Sequence, residues 1–232
     1  MRAARQGIGA QSSPMRAMGR GVRTLFLAAL VGLAIQAAYR IPAVRSAVEG
    51  FLHPTPSVGL IAGHWQSDSG AVCPGDELRE VDLNLAIARR VERLLRQEGY
   101  RVEVLPEYTQ RLEGYRADAL VSIHADSCVQ LSGYKVARAA DSPDPRRDDR
   151  LVDALASSYA VATGLDVHDE TITEDMTGYH AFRRISPETP AALIECGFMG
   201  GDRSLLTQEQ HRVAAGIANG ILAFVESSEA KE

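Results

Sequence analysis

Three apolar runs in this sequence each deliver an ionisable side chain: Ala62-Gly63-His64, Ser122-Ile123-His124 and Leu193-Ile194-Glu195. A further carboxylate, Glu80, opens the amphipathic stretch that follows the first run. Two imidazoles and one carboxylate suit catalytic zinc, which commonly takes three protein ligands and keeps its fourth position for water. Such a metal makes hydroxide available near neutral pH and polarises a scissile carbonyl, and another carboxylate must then move the proton. His64, Glu80 and His124 are therefore candidate metal ligands, and Glu195 is the candidate catalytic carboxylate. Their spacing is too spread out to be specific and leaves ordinary core histidines open.

Positioning these residues requires a sheet. Short apolar runs at Val58–Ala62, Arg101–Leu105, Ala119–Ile123 and Ala191–Ile194 predict strands. Between and after them, helical spacing predicts helices over 81–98, 147–163 and 208–224, with Gly99 and Gly164 as terminators of the first two. Alternating strands and helices imply an α/β fold, a single twisted sheet with helices on both faces. In such sheets the ligand crevice lies beyond the carboxyl ends of the strands, where His64, His124 and Glu195 would converge.

Composition is that of a globular protein, with 45% apolar and 24% charged residues, and excludes disorder or a repeat array. Charge is uneven. Residues 1–50 hold seven arginines (Arg2, Arg5, Arg16, Arg20, Arg23, Arg40 and Arg45) against Glu49, so a chain of net charge −5 has a strongly acidic remainder. Five of those arginines precede the apolar run Leu25–Ile35, the layout of an export signal. The run falls between a signal peptide and a full membrane span, and Gln36 and Tyr39 spoil a small-x-small cleavage site, which favours an uncleaved signal-anchor. The expected organisation is a basic cytoplasmic segment (1–23), an apolar anchor or signal helix (24–40), a proline-containing linker (41–56), a catalytic domain (57–226) and a polar tail (227–232). That places the domain at the outer face of the cell membrane, with the N-terminus inside, or secreted if the signal is cleaved. A monomer with no nucleic-acid partner is expected.

The full residue strings narrow the chemistry. Gly-His-Trp-Gln-Ser-Asp-Ser-Gly-Ala (63–71), Glu-Val-Asp-Leu-Asn-Leu-Ala-Ile-Ala (80–88), Ala-Asp-Ala-Leu-Val-Ser-Ile-His-Ala-Asp (117–126) and Pro-Ala-Ala-Leu-Ile-Glu-Cys-Gly-Phe (190–198) together resemble the zinc-dependent N-acetylmuramoyl-L-alanine amidases, in that family's order over most of residues 58–224. The resemblance implies one zinc ion held by His64, Glu80 and His124, with Glu195 as the catalytic glutamate and peptidoglycan as substrate. Glu77 competes with Glu80 for the ligand role, and the position of Leu85 relative to the family's pattern favours Glu80. Asp68 and Arg111 also match family positions.

This chain departs from the pattern in places. Trp65 and Gln66 stand where the family usually has glycines, and Asp126 replaces an asparagine. Trp65 is either a wall for a sugar or a lid on the core. His180 and Arg183 occupy the segment before the catalytic strand, where the family contacts substrate, and could steady the oxyanion; a plain surface loop is the alternative. If the loops bearing Glu80 and His124 meet at the metal, Cys73 and Cys128 meet too, which predicts a disulfide between them in an exported domain. Buried free thiols or a thiolate zinc ligand remain open, and Cys196 belongs to the core. Other readings are a zinc peptidase acting on other extracellular peptides, or a wall-binding relative without turnover. The short stretch between His124 and Glu195 leaves little room for a blocking helix, so an open cleft is expected.

Overall fold

The computed structural model describes residues 15–44 and 55–229, and the chain divides into two compact units, residues 1–54 and 55–232. In the first unit, α1 spans Met15–Tyr39. Leu25, Leu27, Leu30, Val31, Leu33 and Ile35 are exposed along it. Among the described residues no helix is long and apolar enough to cross a membrane. Arg16, Arg20 and Arg23 lie inside α1, so only its part beyond Arg23 is free of charge. At 1.5 Å per residue that part reaches about 24 Å, short of a hydrocarbon core of about 30 Å. The expected anchor thus has a helix but no full span. The linker expected over 41–56 falls largely outside the described residues.

The second unit is built on a mixed five-stranded sheet. Its strands are β1 (Ser57–Ala62), β2 (Arg101–Pro106), β3 (Ala119–Asp126), β4 (Lys135–Ala137) and β5 (Ala191–Phe198), in the order β2-β1-β3-β5-β4. β2, β1, β3 and β5 are parallel, and β4 runs antiparallel along β5. The sequence did not signal β4, because three residues are too few to show a period. β3 and β5 also run farther than expected. His124 and Glu195 therefore lie inside strands, as register partners, while His64 stands beyond the end of β1.

Helices α2 (Glu80–Gln97), α3 (Pro145–Thr163), α4 (Arg203–Gln208) and α5 (Gln210–Glu229) follow from local signals. In α2, Leu83, Ile87, Val91 and Leu95 form the buried stripe, and Glu80, Asp82 and Arg96 complement the helix dipole. In α3, the Asp144 side chain accepts from the Arg147 N–H, Pro145 occupies the first turn, and Gly164 closes the helix in the left-handed conformation.

Both faces of the sheet carry helix, but unequally. Leu83, Ile87, Leu151, Leu155, Val213 and Ile217 from α2, α3 and α5 share one core with Leu60, Val121 and Ile194 of the sheet. The opposite face, with Ile61, Leu120 and Leu193, is covered by Leu112, Met176, Tyr179, Ala181 and Ile185, which come from loops and single helical turns. The stretch between β3 and β5 is spent on β4, α3 and those covering turns.

Candidate metal centre

The first ligand sits on a tight turn. His64 takes φ 63° and Gln66 φ 62°, left-handed values that cost a residue with a Cβ about 1–2 kcal/mol. This explains physically why glycine suits the position Gln66 holds. The turn is tied down by hydrogen bonds from the Trp65 N–H to the Ala62 carbonyl (3.1 Å) and from the Asp68 N–H to the His64 carbonyl (3.2 Å). Gly63 must lack a side chain, since a Cβ there would lie 2.5 Å from the His124 ring. Gly70 is equally constrained: it has φ 59°, and a Cβ would come 2.5 Å from Glu80 Oε2.

These constraints bring three side chains together. Ligand atoms of His64, Glu80 and His124 all lie within 4.8 Å of one another. Glu80 faces both imidazoles, with Oε2 3.2 Å from His64 Nε2 and Oε1 3.1 Å from His124 Nδ1. The Ala71 N–H and the Asn84 amide donate to it at 3.0 and 3.1 Å, holding the carboxylate still. Its competitor Glu77 is an exposed turn residue at φ 54°.

The electrostatics fit a cation. Burial pushes the Glu80 carboxyl up, but hydrogen bonds from both histidines outweigh it and hold the group far below its ordinary range. The Glu80 bond pulls His64 up to about 9, against the effect of burial. Burial lowers His124, yet its bond to Glu80 and the charges of Glu195 and Glu107 leave it raised. In the metal-free protein the surrounding carboxylates thus favour the protonated imidazoles, and a divalent ion satisfies the same charges. A metal fits this donor set of two nitrogens and one carboxylate.

Glu195 lies beside this cluster on β5. Its Oε2 is enclosed and has no hydrogen-bond partner among the described residues. Burial raises its carboxyl to about 7, with the negative charges of Glu80 and Asp126 adding to the effect and His124 opposing it. A proton acceptor near neutrality is what general acid-base catalysis needs. Opposite it in register stands Lys135 of β4, buried and paired with Asp126.

The other expected residues separate into two groups. Asp68 belongs to the site, with Oδ1 2.6 Å from His64 Nδ1 and accepting from the Gly70 N–H at 2.7 Å. The Gly70 bond above all holds its carboxyl below the ordinary range. A carboxylate on the ring nitrogen away from the metal is the usual device for orienting a ligand histidine. His180 also lies close to the ligands, through Glu107 (2.9 Å from its Nε2), and stacks on the exposed Tyr108.

Trp65 packs half-buried against the helix-side core, with Arg89 over its ring at 5.4 Å. Arg111 is exposed and pairs with Glu103 of β2. Arg183 is exposed on the turn after His180 and makes no ion pair among the described residues. Cys73 and Cys128 are joined in a disulfide, while Cys196 is a buried free thiol.

Sequence reasoning missed Glu107. It follows β2 directly and is 4% exposed. Its carboxylate accepts from the His64 N–H (3.0 Å), the Tyr179 hydroxyl (2.8 Å) and His180 Nε2 (2.9 Å). Burial pushes it up, but those bonds and the charge of His124 hold it below the ordinary range. The signal was present: Val102–Pro106 is another strand delivering an ionisable residue at its end.

Two imidazoles and a carboxylate grouped at the carboxyl rim of a mixed α/β sheet, with a half-buried glutamate alongside whose Oε2 is enclosed, define a hydrolase centre able to hold a metal. Comparison with known proteins supplies the family: the model of the N-acetylmuramoyl-L-alanine amidases matches residues 58–223, and this chain belongs to that family. It is an N-acetylmuramoyl-L-alanine amidase, an enzyme of peptidoglycan. The catalytic domain of CwlV, an amidase of Bacillus (Paenibacillus) polymyxa, is 26% identical, with a TM-score of 0.58 over 74% of this chain and 99% of that one. An amidase of Clostridium difficile 630, 23% identical, shares the fold with a TM-score of 0.62 over 75% of this chain and 98% of its own. In sequence, the uncharacterized YqiI of Bacillus subtilis is 28% identical over 211 residues, 84% of this chain and 95% of its own length.

Proposed function

We propose that this amidase is zinc-dependent and cleaves the amide between the lactyl group of N-acetylmuramic acid and the L-alanine that begins the stem peptide. The observation that carries this reading is the grouping of His64, Glu80 and His124 within 4.8 Å beside the partnerless Oε2 of Glu195. Bound by those three residues, zinc supplies Lewis acidity, both activating water near neutral pH and polarising the scissile carbonyl. Glu80 fixes the two imidazoles at one point, and Asp68 sets the ring of His64. Glu195 takes a proton from the attacking water and passes it to the amine nitrogen that leaves with alanine. Its enclosure keeps the carboxyl raised, so it can accept and release a proton in the same pH range.

The site of action in this proposal is outside the cytoplasm. The Cys73–Cys128 bond supports it, since such bonds persist in oxidising compartments, as does the arginine-flanked apolar helix at the N-terminus. Metal analysis of the purified protein, coupled to mass spectrometry of a muropeptide digest, tests the chemistry. One zinc per chain and products consisting of intact glycan with free lactyl carboxylates plus peptides beginning with alanine are expected. Products cut within the stem peptide, or full activity after zinc is stripped, refute it.

A further inference from the structure

Each ring of the proposed ligand pair has one nitrogen turned toward Glu80 and one turned away. For His64 the outer nitrogen, Nδ1, meets Asp68. For His124 the outer nitrogen, Nε2, has no hydrogen bond among the described residues, and Glu107 Oε2 faces it at 3.6 Å. A ligand histidine needs an acceptor for its outer N–H, because that bond fixes the ring and the tautomer that meets the metal. Glu107 is the buried carboxylate placed to serve.

The same carboxylate reaches in two other directions. Oε2 accepts from the backbone N–H of His64, and the Glu107 N–H donates to the Trp65 carbonyl at 3.1 Å, so one residue clamps the left-handed turn from both sides. Oε1 accepts from the Tyr179 hydroxyl, which in turn accepts from Ser122 Oγ at 3.0 Å, and from His180 Nε2. His180 keeps 21% of its side chain in solvent and stacks on Tyr108, itself 65% exposed, so this arm reaches solvent.

We infer that Glu107 is a positioning residue for both halves of the active site, orienting His64 and His124 toward the metal through one oxygen and His180 toward the substrate through the other. This rests on the zinc reading above. Glu107 is too buried to touch peptidoglycan and acts only through its partners. An amide cannot replace it. Donors face both of its oxygens, and glutamine offers one acceptor and one donor, so one side must lose its bond and meet N–H against N–H or O–H.

The experiment compares the full-length wild type with Glu107→Gln and His180→Gln. It reads Zn²⁺ affinity by chelator competition, and kcat and KM on purified peptidoglycan at saturating zinc. Glu107→Gln is expected to bind zinc about 10–100-fold more weakly, and also to lose kcat when zinc is restored, with KM little changed. His180→Gln is expected to keep wild-type zinc affinity and lose kcat. A purely structural role would lower thermal stability without splitting kcat from KM in this way.

Glu107→Gln with unchanged zinc affinity, or with full kcat at saturating zinc, overturns the dual role. If that variant does not fold, Tyr179→Phe and His180→Leu each remove one donor from Oε1 without altering a ligand. Loss of kcat in both supports the proposal, and wild-type kcat in either refutes it. Wild-type protein that binds no zinc refutes the zinc reading, and this inference with it, before any variant is made.

Discussion

On the helix-covered face of the sheet, Leu60, Ile123 and Ile194 are wholly buried among apolar side chains of α2, α3 and α5. One residue farther along β3 and β5, His124 and Glu195 sit in a rim of buried charge, with partnerless atoms and left-handed backbone nearby. The same strands thus serve two opposed ends. On the face, every choice of residue favours the fold; at the rim, residues are held in states that the fold alone would not select. Local conflict of this kind is what a functional site looks like in an otherwise consistent chain.

The largest effect should come from the rim. Glu195→Gln keeps the shape of the side chain and removes its ability to take a proton, so turnover should fall by about 10²–10⁴-fold. Zinc content should be unchanged, because Glu195 is not one of the three grouped ligands. A variant that still digests purified peptidoglycan at the wild-type rate would show that the proton moves elsewhere. Stability should not fall with activity, since the substitution removes a carboxyl whose ionisation burial disfavours.

The rim must be held together from outside, and the Cys73–Cys128 bond does this between the approach to Glu80 and the loop after His124. It closes a separation of 55 residues, for which chain entropy gives about 4 kcal/mol. The double variant Cys73→Ser/Cys128→Ser should therefore show a clear drop in urea midpoint. If the midpoint is unchanged, the rim is stable without its staple. On the face, Ile87→Ala should cost about 2–5 kcal/mol through the cavity it leaves. Here the contrast is sharpest: the folded fraction of that variant should bind zinc like the wild type, although α2 carries Glu80 at its first turn.

The face was the more legible region in its elements, if not in every position. The helical spacing of Val81, Leu85, Ala88, Val91 and Leu95 located α2, but the buried stripe runs through Leu83, Ile87, Ala88, Val91 and Leu95, with Val81 and Leu85 half-buried beside it; Gly99 and Gly164 mark helix ends. That the long helices crowd onto one face was not legible, since amphipathicity says that a helix buries a stripe and not which side of the sheet receives it. At the rim, His64, His124 and Glu195 were found because apolar runs led to them, Glu80 because it opens the helix after the first run, and the family's strings gave them roles. Glu107 escaped because it belongs to no quoted string, and its importance comes from four partners distant in sequence. Arg111, whose matching position suggested a substrate contact, is exposed and pairs with Glu103, a partner that no spacing carries.

A last effect, read on stability alone, tests the rim's cost through pH. Glu195 has an ordinary value of 4.5 and is raised by burial to about 7 in the folded chain. A raised carboxyl favours folding while it stays protonated. Its contribution is complete below 4.5, declines as the unfolded chain ionises and the folded one does not, and is lost once pH passes about 7. Compared with Glu195→Gln, metal-free wild type should therefore lose stability across that window by up to about 1.4 kcal/mol per pH unit. Above the window the difference should be constant. Urea melts of the two chelator-treated proteins at several pH values give the difference, which includes the shift that the charge of Glu195 imposes on His124. A difference that stays flat from acid to neutral pH would mean that Glu195 ionises as freely in the fold as in the open chain. The raised proton affinity that suits it for catalysis would then have to come from the substrate complex, and the opposition between face and rim would not extend to this residue.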